Sequence, residues 1–238
     1  MNPQQNHLLA ILSEETYQQV LPHLEIVYLP QGQILNLPNE VIEQLHFPID
    51  CLLSITITMS NGTTVETGVV GNREVLGINA LMGDRESTQT EYIVQIPGTA
   101  VKIKAGIMRE IFEQNQEFRN VMLRYTQAFI AQISQTTACN RLHLLEQRLA
   151  RWLLEAQERI ESNEIELTQE FISNMLGVRR PGVTLAAQKL QEQGCIRYSR
   201  NQILIVDLDK LKSYSCECFQ VVRNEYDRLL GIKRQDSN

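Results

Sequence analysis

Arg179 and Arg180 stand side by side, and Thr184 and Gln188 follow Arg180 at steps of four. On a helix beginning at 180, that spacing lines one face with a guanidinium fork, a hydroxyl and an amide, and Arg179 adds a second fork at the helix start. Such groups donate to guanine O6 and N7, or to phosphates, and they read base edges in a major groove. Pro181 suits the first turn of a helix, where its missing N–H has no intrahelical partner to lose, and Gly177 permits a tight turn before it. Val183, Ala186, Ala187 and Leu190 occupy the opposite face, and the small residues among them let a neighbouring helix approach closely. Thr168 and Gln169 open the preceding helical run, and Arg200 falls between two short alternating runs, IRYS and QILI, where it can reach a phosphate or a minor groove. These seven residues are the candidate nucleic-acid contacts.

Other reactive residues carry less. The five cysteines (Cys51, Cys139, Cys195, Cys216, Cys218) are odd in number and form no CxxC pair, so neither a disulfide framework nor a closed zinc site is expected. Cys216 and Cys218 are one residue apart, a spacing at which two helical side chains do not face each other, and both are read as structural. His7, His23, His46 and His143 could each serve as an axial haem ligand, but no motif supports any of them, and they are assigned to surface or core. The run GNREVLG at 71–77 lacks the Gly-Lys-Ser/Thr of a phosphate loop and is read as a turn between strands. No Ser/His/Asp or Cys/His arrangement assembles from the spacing. The expectation is a non-enzyme without metal or cofactor.

The elements that must position the 179–188 row follow from periodicity. Residues 25–104 consist of short β-prone runs such as CLLSITITMSNGTTVETGVV, divided by Asn61-Gly62, Gln31-Gly32, Met82-Gly83-Asp84 and Pro97-Gly98. The Asn-Gly pair predicts a tight hairpin with positive φ angles, and many short strands at this spacing predict an antiparallel barrel or jelly roll. From about residue 106 the period becomes helical. Phe118, Met122, Tyr125, Phe129, Ile133 and Thr136 draw an apolar seam along a helix from 118 to 139, about 33 Å long. A long helix with a narrow seam suits pairing with its twin across a two-fold axis. The alternative is that the seam packs on its own β domain. Leu142, Leu145, Leu149, Trp152 and Leu153 mark a second amphipathic helix, ending in a polar loop near 160–163. Helices over 168–176 and 180–193, a stop at Gly194 and two short strands then follow, the order of a winged helix-turn-helix.

Charge is divided between the halves. Residues 1–117 hold 5 Lys/Arg against 14 Asp/Glu, a balance of −9, whereas residues 171–212 hold 7 against 3, a balance of +4. Attraction to phosphate acts over about a Debye length, so the local excess matters more than the net −6 of the chain. No run of about 18 apolar residues and no basic signal-peptide start is present, which points to the cytoplasm and to no membrane partner.

Three stretches resemble the Crp/Fnr transcription regulators: VETGVVGNREVLGINALMG, CNRLHLLEQRLARWLL and LTQEFISNMLGVRRPGVTLAAQKLQEQGCIRYSRNQILIVD. The resemblance covers nearly the whole chain. It implies an α+β protein with an N-terminal antiparallel β-roll effector domain over 1–117, a long dimerisation helix over 118–140, and a winged helix-turn-helix DNA-binding domain over 141–238. The implied partners are a second copy of the chain and double-stranded DNA bearing a near-palindromic operator, with RNA polymerase as a further candidate. Arg180 falls on the family's base-reading arginine, while Pro181 and Leu185 replace polar residues that relatives use. In cyclic-AMP-binding relatives a Gly-Glu pair holds the ribose and an Arg-Ser pair the phosphate. Here Gly77-Ile78 and Gln89-Thr90 stand in those places, so the pocket they mark is degenerate and its effector, if one exists, is a small molecule other than cyclic AMP. With Cys51 the first cysteine, the branch holding an amino-terminal iron–sulfur cluster is excluded on ligands. The alternative is a ligand-binding module whose helical end docks a protein partner, which would not require the local +4.

Overall fold

The computed structural model describes residues 1–199 and 202–231, so Arg200 lies outside the described residues. Two short helices, α1 (His7–Ala10) and α2 (Glu14–Val20), lead into seven strands: β1 (Glu25–Leu29), β2 (Ile34–Asn36), β3 (Gln44–Pro48), β4 (Leu52–Thr58), β5 (Thr64–Val70), β6 (Glu91–Ile96) and β7 (Gly98–Lys104). They pair antiparallel as two sheets, in the orders β1-β7-β3 and β2-β6-β4-β5. Leu45, Phe47, Val101 and Ile103 from one sheet and Leu53, Val70 and Val94 from the other share one core, so the sheets face each other as a β-roll. The hairpin at Asn61-Gly62 forms, but more openly than expected. Thr58 pairs with Thr64, Met59 N–H donates to Thr63 C=O at 2.9 Å, and Gly62 takes the left-handed conformation (φ 81°) while Asn61 does not.

Helix α3 (Ala105–Gln114) is followed by α4 (Gln116–Leu142), whose 27 residues extend about 40 Å. The expectation that Phe118, Met122, Tyr125, Phe129 and Ile133 face a second copy is corrected. The first four are buried in the β-roll core of their own chain, Ile133 packs against that core, and Tyr125 OH donates to Val75 C=O at 2.8 Å. Side chains of that volume mark the most deeply buried face, and the β-roll alone supplies enough surface to cover them. The opposite face carries Asn120, Leu123, Gln127, Ile130, Ser134, Thr137 and Arg141, all exposed and spaced alternately three and four apart. That is a heptad row.

The remainder comprises α5 (Leu145–Ile160), β8 (Glu164–Glu166), α6 (Gln169–Leu176), α7 (Arg180–Glu192), β9 (Ile196–Ser199), β10 (Gln202–Ile205), α8 (Leu208–Tyr214) and α9 (Cys218–Leu230). A second core joins α5, α6, α7 and the three-stranded sheet β8-β10-β9. Leu142 belongs to the end of α4 and is exposed, not to the amphipathic face of α5. Helix α9 departs from the expected division at 141: Val222, Tyr226, Leu229 and Leu230 join the first core, and the helix lies along α4. No helix among the described residues is long and apolar enough to cross a membrane.

Candidate nucleic-acid interface

Helix α6 starts where the Thr168 hydroxyl accepts from Phe171 N–H at 3.3 Å, and it stops at Gly177, whose φ of 62° turns the chain. The positive φ of Gly177 favours glycine, and a Cβ there would also stand 3.1 Å from Val65 Cγ1 of the β-roll, which would have to give way slightly. Arg148 on α5 donates to the C=O of Leu176, tying down the last turn of α6. Arg179, extended at φ −77° and ψ 147°, is the residue before the first turn of α7, and Pro181 lies within that turn. Gly182 lets α7 lie on α5, since a Cβ would approach Leu145 Cδ2 at 3.2 Å. Pro181 and Gly182 thus have local reasons at the start of α7.

On α7, Val183, Ala186, Ala187 and Leu190 are buried, as their spacing predicts. Arg179, Arg180 and Gln188 are exposed and Thr184 half-exposed on the other side. Arg180 Nη2 donates to Glu170 Oε2 at 2.8 Å, with both side chains more than half exposed (59% and 65%), and Thr184 Oγ1 donates to Arg180 C=O at 3.3 Å. An exposed pair of this kind is weak and yields to a phosphate or a guanine. Leu185 is 62% exposed on the same outer arc. An apolar side chain in that place can touch a thymine methyl, a role that its replacement of a polar residue did not suggest. Thr168 and Gln169 are half-buried at the start of α6.

Residues 147–214 match the family of Crp-like helix-turn-helix domains. This region is a Crp-like helix-turn-helix domain. About four-fifths of the chain shares its fold with solved Crp/Fnr-type regulators. It is similar to FixK2 from Bradyrhizobium japonicum (TM-score 0.69, 14% identity, 81% of this chain and 98% of that one) and to the c-di-GMP-responsive global regulator CLP from Xanthomonas campestris (0.65, 13%, 82% and 100%). It is similar also to a CRP-family transcriptional regulator from Thermus thermophilus (0.66, 15%, 79% and 96%). At these identities the likeness is one of fold. No curated protein matches the chain by sequence.

The Crp-like domain is joined to the β-roll through the turn Gly71-Asn72-Arg73-Glu74. Glu74, fully buried, accepts from Arg159 Nη2 at 2.7 Å and from its Nε at 3.1 and 3.0 Å. Arg159 also donates to Gln132 Oε1 of α4 at 2.9 Å, the atom that accepts from Tyr226 OH of α9 at 2.8 Å. Burial opposes the Arg159 charge, but Glu74 and then Glu155 outweigh it and hold the guanidinium above its ordinary range. Gly71 has no side chain because Arg159 Cβ would lie 2.3 Å from one. In the same turn, Arg73 Nη2 meets Asp227 Oδ1 at 2.5 Å. From its residues alone this run reads only as a turn between strands.

Of the four effector-pocket residues, Gly77 and Ile78 are buried in the β-roll, Thr90 is half-buried and Gln89 is exposed. Gly77 takes φ 92°, and a Cβ there would stand 3.2 Å from both Gln44 C=O and Ile42 Cγ2, while Ile78 is part of the β-roll core. Gln89 is exposed, and Thr90 Oγ1 lies 2.8 Å from Thr88 Oγ1. An isoleucine in place of a ribose-binding carboxylate packs inward because it has nothing to offer a polar ligand. The reading of the cysteines is also corrected. Cys216 sits in the turn before α9 and not on a helix, so Cys216 and Cys218 both point toward Cys139, and Cys218 Sγ comes within 3.5 Å of His143 Nδ1.

Proposed function

We propose that the chain is a homodimeric, sequence-specific DNA-binding transcription regulator that reads its operator with α7. The observation that carries this is the row of exposed Arg179, Arg180 and Gln188 and half-exposed Thr184, along and just before a helix whose other face is buried in a Crp-like helix-turn-helix domain. Arg180 donates its fork to a guanine once released from Glu170, Leu185 contacts a thymine methyl, and Arg179 at the helix start takes a phosphate or a second base. Thr168 and Gln169 at the start of α6 stand by the backbone, and Arg200 extends the contact. The heptad row of α4, with Leu123 (53% exposed) and Ile130 (58%) as its apolar members, pairs with its copy and sets two α7 helices about 34 Å apart on a near-palindrome. The β-roll does not take cyclic AMP, because Ile78 is spent in the core. RNA polymerase is the further partner such a regulator needs.

Selection of bound fragments from random-sequence DNA tests the reading. Enrichment of inverted repeats with half-sites one helical turn apart is expected. Recovery of unrelated sequences, or of single half-sites by a protein that stays monomeric, would overturn it. Ile130→Glu in the full chain should halve the mass seen by light scattering and cost most of the affinity for the two-site operator.

A further inference from the structure

Three cysteines and a histidine that are scattered in sequence meet at the hinge between the long helix and the Crp-like domain. Cys139 lies in the last turn of α4, His143 just beyond it, Cys216 in the α8–α9 turn and Cys218 at the start of α9. One ligand atom from each lies within 4.8 Å of all the others. Cys139 Sγ is 3.5 Å from Cys216 Sγ, and Cys218 Sγ is 3.5 Å from His143 Nδ1. The thiols are buried and the imidazole is half-buried. We propose that Cys139, His143, Cys216 and Cys218 form a mononuclear, four-coordinate site for a zinc-class divalent cation.

The spacing selects the class of ligand. A tetrahedral ion with bonds of about 2.3 Å to sulfur and about 2.0 Å to nitrogen places its ligand atoms roughly 3.5–3.8 Å apart. An iron–sulfur cluster needs its cysteines arranged around several metal atoms, wider than this group stands. Soft thiolates with one imidazole favour zinc over magnesium or calcium, which take oxygen ligands. A Cys139–Cys216 disulfide would use two of the four groups and leave Cys218 and His143 turned toward them without purpose.

Further polar groups are placed as outer partners of a metal site. His143 Nε2 is 3.2 Å from Glu217 Oε2, so with Nδ1 on the metal the remaining ring N–H donates to a carboxylate. Gln135 Nε2 donates to Cys218 Sγ at 3.1 Å. Three thiolates and a divalent cation leave one negative charge, and the buried Arg151 guanidinium interacts electrostatically with all three sulfurs. Cys51 and Cys195, by contrast, are dispersed in the two hydrophobic cores. The clasp would bind residues 77 positions apart and fix the end of α4 to the α8–α9 turn, just past the Crp-like domain.

The test is a Co2+ titration of the full chain, reduced and stripped with a chelator under argon. One equivalent should develop thiolate charge-transfer absorption and the intense visible bands of tetrahedral Co2+, and Zn2+ should bleach both. Cys216→Ser should lose the charge-transfer intensity of one thiolate and bind far more weakly, while Cys51→Ser and Cys195→Ser behave as the parent. Glu217→Gln should keep the spectrum but bind about tenfold more weakly. Absence of tetrahedral bands in parent protein with native helical circular dichroism would overturn the proposal, whatever the variants do. So would a spectrum unchanged in Cys216→Ser, or acid-labile sulfide accompanying metal in protein as purified. These readouts need no DNA, so their failure is separate from failure of the regulatory reading.

Discussion

Arg159 and Arg180 carry the same side chain in opposite surroundings. Arg159 is buried, holds both carboxylate oxygens of Glu74 and donates also to Glu155 C=O and Gln132, so its donors are engaged within the protein. Arg180 stands in water, its guanidinium bonded to an equally exposed Glu170. The difference shows how to tell a charge that builds the molecule from one that is available to a partner. A buried guanidinium has lost its hydration and cannot exchange partners without a large penalty, whereas an exposed one exchanges at little cost.

The largest test of that contrast is Arg159→Leu, which leaves Glu74 buried without its counter-charge. Urea denaturation should show a loss of about 3–5 kcal/mol, and a loss under about 1 kcal/mol would mean that the joint does not rest on this pair. Next comes Glu66, buried in the same joint, where it accepts from Ser54 Oγ at 2.6 Å and Trp152 Nε1 at 3.2 Å. Burial, opposed by those hydrogen bonds, raises its pKa from 4.5 to about 8. Between these values the folded carboxyl keeps a proton that the unfolded one has released, so stability falls as pH rises, with a slope approaching about 1.4 kcal/mol per pH unit. Glu66→Gln should flatten that slope, and an unchanged pH profile would show that the carboxyl is solvated.

On the exposed side, Arg180→Ala should leave stability within about 0.5 kcal/mol and cost about 1–3 kcal/mol of discrimination at one base pair per half-site. Equal loss on operator and random DNA would reduce Arg180 to a phosphate contact. The smallest effect is expected from Glu170→Gln, which should change stability by less than about 1 kcal/mol and tighten DNA binding slightly by freeing the Arg180 fork. A larger loss in thermal melts would place that pair with the structural ones.

Helix α7 was legible because its signals are local. Pro181 in a first turn, Gly177 at a stop and the Val183/Ala186/Ala187/Leu190 stripe all act within one or two turns of chain, and they set the boundaries of α6 and α7 almost to the residue. The Gly71–Glu74 joint was not legible, since Glu74 and Arg159 are 85 residues apart and each alone resembles an ordinary surface charge. The seam of α4 lies between these cases. Its period announced a helix with one deeply buried face, but period says nothing about which surface does the burying.

What the sequence determined by itself was the series of elements, the switch from β-roll to helices and the composition of the α7 face, because periodicity, turn chemistry and capping are properties of neighbouring residues. Only the tertiary structure decided that Phe118, Met122, Tyr125 and Phe129 belong to their own chain, that Ile78 fills a core, that α9 returns to α4, and that Cys139, His143, Cys216 and Cys218 share one place. Those outcomes depend on which distant surfaces come together when two cores close, and that pairing is carried by shape and buried charge across the whole chain.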